Sequence, residues 1–194
     1  MDQHRLAAFS LVGLAALLLA IALTACQVSA PGAAAMVNGS PVPRHFYDVL
    51  VAASQRRAEQ VGLNVRWDTV EGTNRLTQIQ TQTIQQLVRN AVIDQLGKQR
   101  RVEVDDAELD AAMERIEGVF GGTAGVDQKL TQDGLSRDDF RTLFRYFLLD
   151  QQLRRSDPNG YQSALDQAIK TASVEVFVGP CVADHDFNTC VADR

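Results

Sequence analysis

The chain has 194 residues, a formal net charge of −5, 45% hydrophobic residues and 22% charged ones. An acidic balance without clustered Lys and Arg argues against a nucleic-acid partner, and the length suits one domain or two small ones with a sizeable core. The basic pairs Arg56-Arg57, Arg100-Arg101 and Arg154-Arg155 lie near predicted helix ends, where they answer the helix dipole.

Residues 1–25 read as an export signal. Arg5 and the amino terminus supply positive charge, and residues 6–23 are almost wholly apolar. The run Leu23-Thr24-Ala25-Cys26 is similar to the bacterial lipobox, in which the cysteine thiol is acylated and the preceding segment is removed. The competing reading is an uncleaved transmembrane anchor, since the apolar run is long enough to span a bilayer. Either reading places the rest of the chain outside the cytoplasm. Two acyl chains on Cys26 suffice for stable anchoring. Asp2 and Arg5 leave together, so the mature balance stays acidic. Residues 26–34 form a small-residue tether, whose QVSAPGAA stretch spans at most about 28 Å.

The folded body is predicted over residues 35–178. Ala35-Met36-Val37 reads as a short strand ending at the turn signal Asn38-Gly39, and Pro43 suits the first turn of a helix. That helix covers residues 43–60 with Phe46, Val49, Leu50 and Ala53 inward. A linker over residues 61–74 carries the only tryptophan, Trp67. Residues 76–100 follow as a helix roughly 37 Å long. Its apolar positions, Leu76, Ile79, Ile84, Leu87, Val88, Ala91, Val92 and Leu96, recur at helical spacing. Asp105 with Glu108 opens the next helix, over residues 106–120, and Gly121-Gly122 breaks it. A short helix spans residues 126–132. Ser136 with Asp139 then caps a helix over residues 137–155, whose Phe140, Leu143, Phe144, Phe147, Leu148 and Leu149 point to the core. The turn Asp157-Pro158-Asn159-Gly160 leads to a last helix over residues 161–170. Val174, Val176 and Val178 then alternate as a strand. Such a strand is unstable alone, and its natural partner is the one at the amino end. The fold class is therefore mainly α, with a minor two-stranded β element pairing the N- and C-terminal strands. Residues 179–194 form a tail containing Cys181 and Cys190.

The run LVRNAVIDQLGKQRRVEVDDAELDAAMERI, followed by LTQDGLSRDDFRTLFRYFLLDQQLRR, resembles the N-terminal domain of SurA/PrsA-type extracytoplasmic chaperones. AMVNGSPVPRHFYDVL looks like the strand, turn and first helix that open that domain. The resemblance covers most of residues 35–155 and rests on helical patterns, with no invariant chemistry. It implies a helical domain that binds unfolded or extended exported polypeptides. In the resembling family, parvulin-type prolyl-isomerase domains usually separate this domain from a returning C-terminal element. Here only a turn stands in that place, so no isomerase activity is expected. Candidates for the client-contacting surface are Trp67, Met113, Phe120 and Tyr146, each large and near an element end or the margin of an apolar stripe. The alternative for each is burial in the core.

No catalytic constellation is legible, and no enzyme, nucleotide or cofactor is expected. His45 and His185 are far apart in sequence, and Gly118-Val119-Phe120-Gly121-Gly122 has no Lys-Ser/Thr after it. Asp105-Asp106 and Asp138-Asp139 sit at helix starts, where the dipole explains them. In an exported chain, Cys181 and Cys190 most simply form a disulfide. The alternative is a zinc or copper site using Cys181, His185 and Cys190, at a spacing unlike known finger patterns. Two functions follow. One is a membrane-anchored, chaperone-like lipoprotein for unfolded exported proteins. The other is an adaptor lipoprotein that docks a single folded partner, and breadth of binding separates the two.

Overall fold

The computed structural model describes residues 32–63 and 65–182. The export signal, Cys26 and Cys190 lie outside the described residues, as do His185 and with it the metal alternative. Cys181 falls in a closing 3-10 turn, Gly179–Val182. The remaining elements are β1 (Ala33–Val37), β2 (Ser40–Pro43), α1 (Arg44–Gln60), α2 (Val70–Arg100), α3 (Asp106–Phe120), α4 (Thr123–Asp133), α5 (Arg137–Ser156), α6 (Tyr161–Thr171) and β3 (Val174–Val176). The fold is mainly α with a minor β element. Among the described residues, no helix is long and apolar enough to cross a membrane.

The two predicted strands pair as expected: β1 and β3 run antiparallel, with Ala35 opposite Val176 and Val37 opposite Val174. The sheet has a third strand, however, and its order is β2-β1-β3. Asn38 and Gly39 both take positive φ, 50° and 78°. This is the backbone of a tight hairpin turn, and it folds residues 40–43 back onto β1 instead of straight into a helix. Pro43, expected in the first helical turn, instead ends β2 and caps α1, and Pro41 and Pro43 are tolerated because β2 is a sheet edge. The central strand also starts earlier than expected. Ala33 and Ala34, assigned to the tether, are buried, and the Ala34 carbonyl accepts the Phe177 N–H at 2.9 Å. Asn38 then ties the hairpin to its surroundings. Its side chain accepts the Ser173 N–H at 2.9 Å and donates to Gln95 Oε1 at 2.7 Å, while Gln95 Nε2 donates to the Val37 carbonyl at 2.9 Å.

Helix α2 is the axis of the fold. It begins six residues before the predicted helix because Thr69 is a true N-cap, its Oγ1 accepting the Gly72 N–H at 3.1 Å. It ends where Arg101 turns left-handed (φ 55°) and the Val102 N–H reaches back to the Gly97 carbonyl at 2.9 Å, a Schellman closure. Ile84, Leu87, Val88, Val92, Ile93 and Leu96 are buried along its length. They meet Val37, Tyr47, Leu153, Tyr161, Leu165 and Val176 in one continuous core. At Gly97 the helices come close: a Cβ there would stand 3.0 Å from the Leu149 methyl groups.

The predicted caps of the two later helices are present. Asp105 accepts the Glu108 N–H at 2.7 Å. Ser136 and Asp139 form a reciprocal capping box. Asp139 also receives His45 Nε2 at 2.7 Å, which joins the starts of α1 and α5.

Three largely buried carboxylates are placed to make the fold acid-sensitive. Burial alone would push each carboxyl up. It is outweighed at Asp133 by hydrogen bonds from Lys129 and Arg57, at Asp139 by those from Ser136 and His45, and at Asp150 by those from Arg154 and Tyr161. All three are therefore held below the ordinary carboxylate range. With the folded value below the unfolded one, the stabilisation is fully present above about pH 4 and is lost as pH falls through the folded values. The thermal midpoint should be nearly flat from neutral to about pH 5 and drop below about pH 4. A midpoint that holds level through that lower range would contradict the assignment.

Candidate functional site

Helix α5 carries apolar side chains over more than one face. Leu148, Leu149 and Leu153 are buried against α2 and its neighbours. Phe140, Leu143, Phe144 and Tyr146 are only half-buried, and Phe147 is 52% exposed. Phe140 and Phe144 stack with centroids 5.6 Å apart, and Phe144 and Phe147 repeat the stack at 5.6 Å. The phenylalanines predicted as core thus form an aromatic ladder at the edge of the core. Opposite them, Phe46 and Leu50 of α1 are also half-buried. Of the residues predicted inward on α1 only Ala53 is fully buried, and Tyr47, Val51 and Ala58 join it, a face rotated from the predicted one.

Between these faces lie two open clefts. One, of about 310 Å³, runs from Val42 and Phe46 past Leu87 to Asp94 and Lys98. The other, of about 320 Å³, is lined by Leu50, Arg89, Ile93, Leu143 and Phe147 and reaches Asp150. Asn90 and Tyr146 line both, so the two clefts adjoin there and are together called the trough. The walls are mixed: Phe46, Leu50, Leu143, Tyr146 and Phe147 supply aromatic and aliphatic surface, and Ser40, Gln86, Asn90 and Gln95 place polar groups among them. An ion pair stands at each end: Asp94 with Lys98 at 2.6 Å, and Arg89 with Asp150 at 3.0 Å. Burial pushes the Tyr146 phenol up, and the charge of Asp94 adds to this while Lys98 opposes it. The phenol therefore stays a neutral donor and acceptor at physiological pH. Apolar patches broken by amides and bordered by ion pairs suit a ligand that carries both apolar and polar groups.

Of the four candidate contact residues, only Tyr146 lines this trough. Trp67 is half-buried, and its Nε1 donates to Glu59 Oε1 at 2.9 Å, so the ring folds back toward α1 as a loop anchor. Met113 is 3% exposed within the core, so it is out of reach of a partner. Phe120 is 50% exposed at the end of α3, beside a separate cavity of about 150 Å³. Sequence reasoning does not single out Phe147, Phe46 and Leu50 as contact candidates, because periodicity assigns a helical apolar stripe wholly to the core. The signal was available. At about 100° per residue, Phe140, Leu143, Phe144 and Phe147 lie on one arc and Leu149 and Leu153 on nearly the opposite one.

A family model described as SurA-like N-terminal domain matches residues 2–154, from the amino end to near the end of α5. No curated protein matches the chain, and no solved structure does. The matched span includes β1, the hairpin, α1 to α4 and nearly all of α5, and so every residue lining the trough. The chain belongs to the SurA-like N-terminal domain family, which is of chaperone type.

Proposed function

We propose that this protein is an extracytoplasmic, lipid-anchored chaperone-like module that holds unfolded or extended exported polypeptides in the Tyr146 trough, without enzymatic activity. The observation that carries the reading is the open aromatic trough between α1, α2 and α5, with Phe147 half exposed to solvent. The exposed Phe147 and the half-buried Phe46, Leu50, Leu143 and Tyr146 supply apolar surface that a client side chain can cover. Broad aromatic surfaces accept varied side chains, as a holdase requires. The test is suppression of aggregation of a chemically unfolded secreted protein by the soluble mature domain. Absence of suppression at several-fold molar excess, together with one folded partner recovered by crosslinking, would favour an adaptor role instead.

The anchoring part of the proposal rests on the lipobox-like Leu23-Thr24-Ala25-Cys26 and the short segment between Cys26 and β1. Cys26→Ser is expected to abolish labelling by a radioactive or clickable fatty acid and to leave the unprocessed precursor. A Cys26→Ser protein that is processed and membrane-bound like its parent would refute lipidation.

A further inference from the structure

Helix α4 is attached to the body differently from every other helix. The continuous core takes Leu109, Ala112 and Met113 from α3 but no residue from α4. Only Val126 and Leu130 of α4 bury an apolar side chain. Both face the cavity of about 150 Å³, which Ile116, Phe120, Leu135 and Phe140 close from the other side. Joints with positive φ stand at both ends of α4: Gly121 and Gly122 before it (81° and 96°) and Gly134 after it (69°). Such joints turn with little steric penalty.

Besides the buried Val126 and Leu130, polar contacts hold α4 down. Arg137 reaches Asp127 Oδ1 at 3.0 Å and is itself braced by Glu117 of α3 at 2.6 Å. Arg56 donates to the Asp133 carbonyl through Nε and a terminal nitrogen, at 3.1 and 2.8 Å, and Arg57 pairs with the Asp133 carboxylate at 3.0 Å. Gln60 adds a bond to the Gln132 carbonyl at 3.2 Å. Asp133 is 6% exposed on its side chain whereas Asp127 is 52% exposed, so added salt weakens the Arg137–Asp127 pair more than the Arg57–Asp133 pair.

We propose that α4 is a lid that swings between its glycine joints, latched over the apolar cavity by Arg56, Arg57 and Arg137. Opening bares Val126, Leu130 and Phe140 while leaving the α2 core closed. This device does not depend on the trough binding a client. Its test is hydrogen–deuterium exchange of the full mature chain, followed peptide by peptide. Raising salt from low values to about 0.5 M should speed exchange over residues 123–133 about threefold or more, with residues 83–96 unmoved. Joint replacement of Arg56 and Arg57 by Gln should speed the same segment at low salt, because it removes three of the bonds that hold Asp133. Exchange over 123–133 that ignores salt, or that rises only together with residues 83–96, would overturn the lid. If the double variant does not fold, the salt series on the parent protein decides alone.

Discussion

Replacing Asp150 by alanine is expected to destabilise the protein by about 2–4 kcal/mol. This one carboxylate joins three helices. It accepts Arg89 of α2 at 3.0 Å, Arg154 of its own helix at 2.8 Å and the Tyr161 hydroxyl of α6 at 2.5 Å. Tyr161 is 1% exposed, so its hydroxyl loses its partner in a place where water does not readily replace it. Arg89 would be left beside the trough with an uncompensated charge. The figure sits below the roughly 3–5 kcal/mol of a fully buried pair because the side chains of Asp150 and Arg89 keep 18% and 29% of their exposure. Asp150→Asn should fall between, because the amide oxygen still accepts one bond while the charge is gone. Arg141→Ala is the comparison. It removes a pair with the largely exposed Asp110 and should cost no more than about 1 kcal/mol. Denaturant unfolding of the three variants measures this directly. Equal, small losses for Asp150→Ala and Arg141→Ala would show that the three-helix junction does not hold α6.

The helices were legible because their ends are written in local chemistry. Asp105 with Glu108 and Ser136 with Asp139 mark starts that the structure reproduces, since a cap depends on residues three apart and on little else. Pairing of the terminal strands was legible for a different reason: an isolated alternating strand needs a partner. The strand over residues 40–43 was not legible, because two prolines argue against a strand unless it is known to lie at an edge. Edge position is a tertiary fact. The early start of α2 was lost to the polar Gly72-Thr73-Asn74, which reads as loop until Thr69 is seen accepting the Gly72 N–H.

The trough is the instructive miss. Periodicity tells which side chains share a helical face, but not whether another element covers that face. On α5 the buried arc and the open arc are both apolar, and only the packing of α1 and α2 decides between them. Met113 and Phe147 show the two errors such a reading makes. The first is an adaptable side chain offered as a contact candidate with core burial as its alternative, and found at 3% exposure. The second is an aromatic placed in the core and found at 52%.

Phe147→Glu is expected to abolish aggregation suppression while leaving the fold intact. Half of this ring already faces solvent, and it lies outside the continuous core, so the substitution should cost about 1 kcal/mol of stability or less. Its effect on binding is of another size. A charge placed on the wall opposite Leu50, next to Tyr146, must be desolvated by any apolar segment entering the trough. A binding hot spot of this kind is worth about 2 kcal/mol or more, which corresponds to an affinity roughly thirtyfold weaker. Tyr146→Ala should act in the same direction, since Tyr146 lines both clefts, but its deeper burial mixes a stability loss into the result. Val119→Glu is the control: Val119 is 81% exposed at the end of α3 and lines neither cleft. Suppression measured at equal folded concentration, with circular dichroism to confirm the fold, separates the cases. If Phe147→Glu suppresses aggregation as well as the parent while Phe120→Glu does not, the client surface lies at the α3–α4 cavity and the trough assignment is wrong.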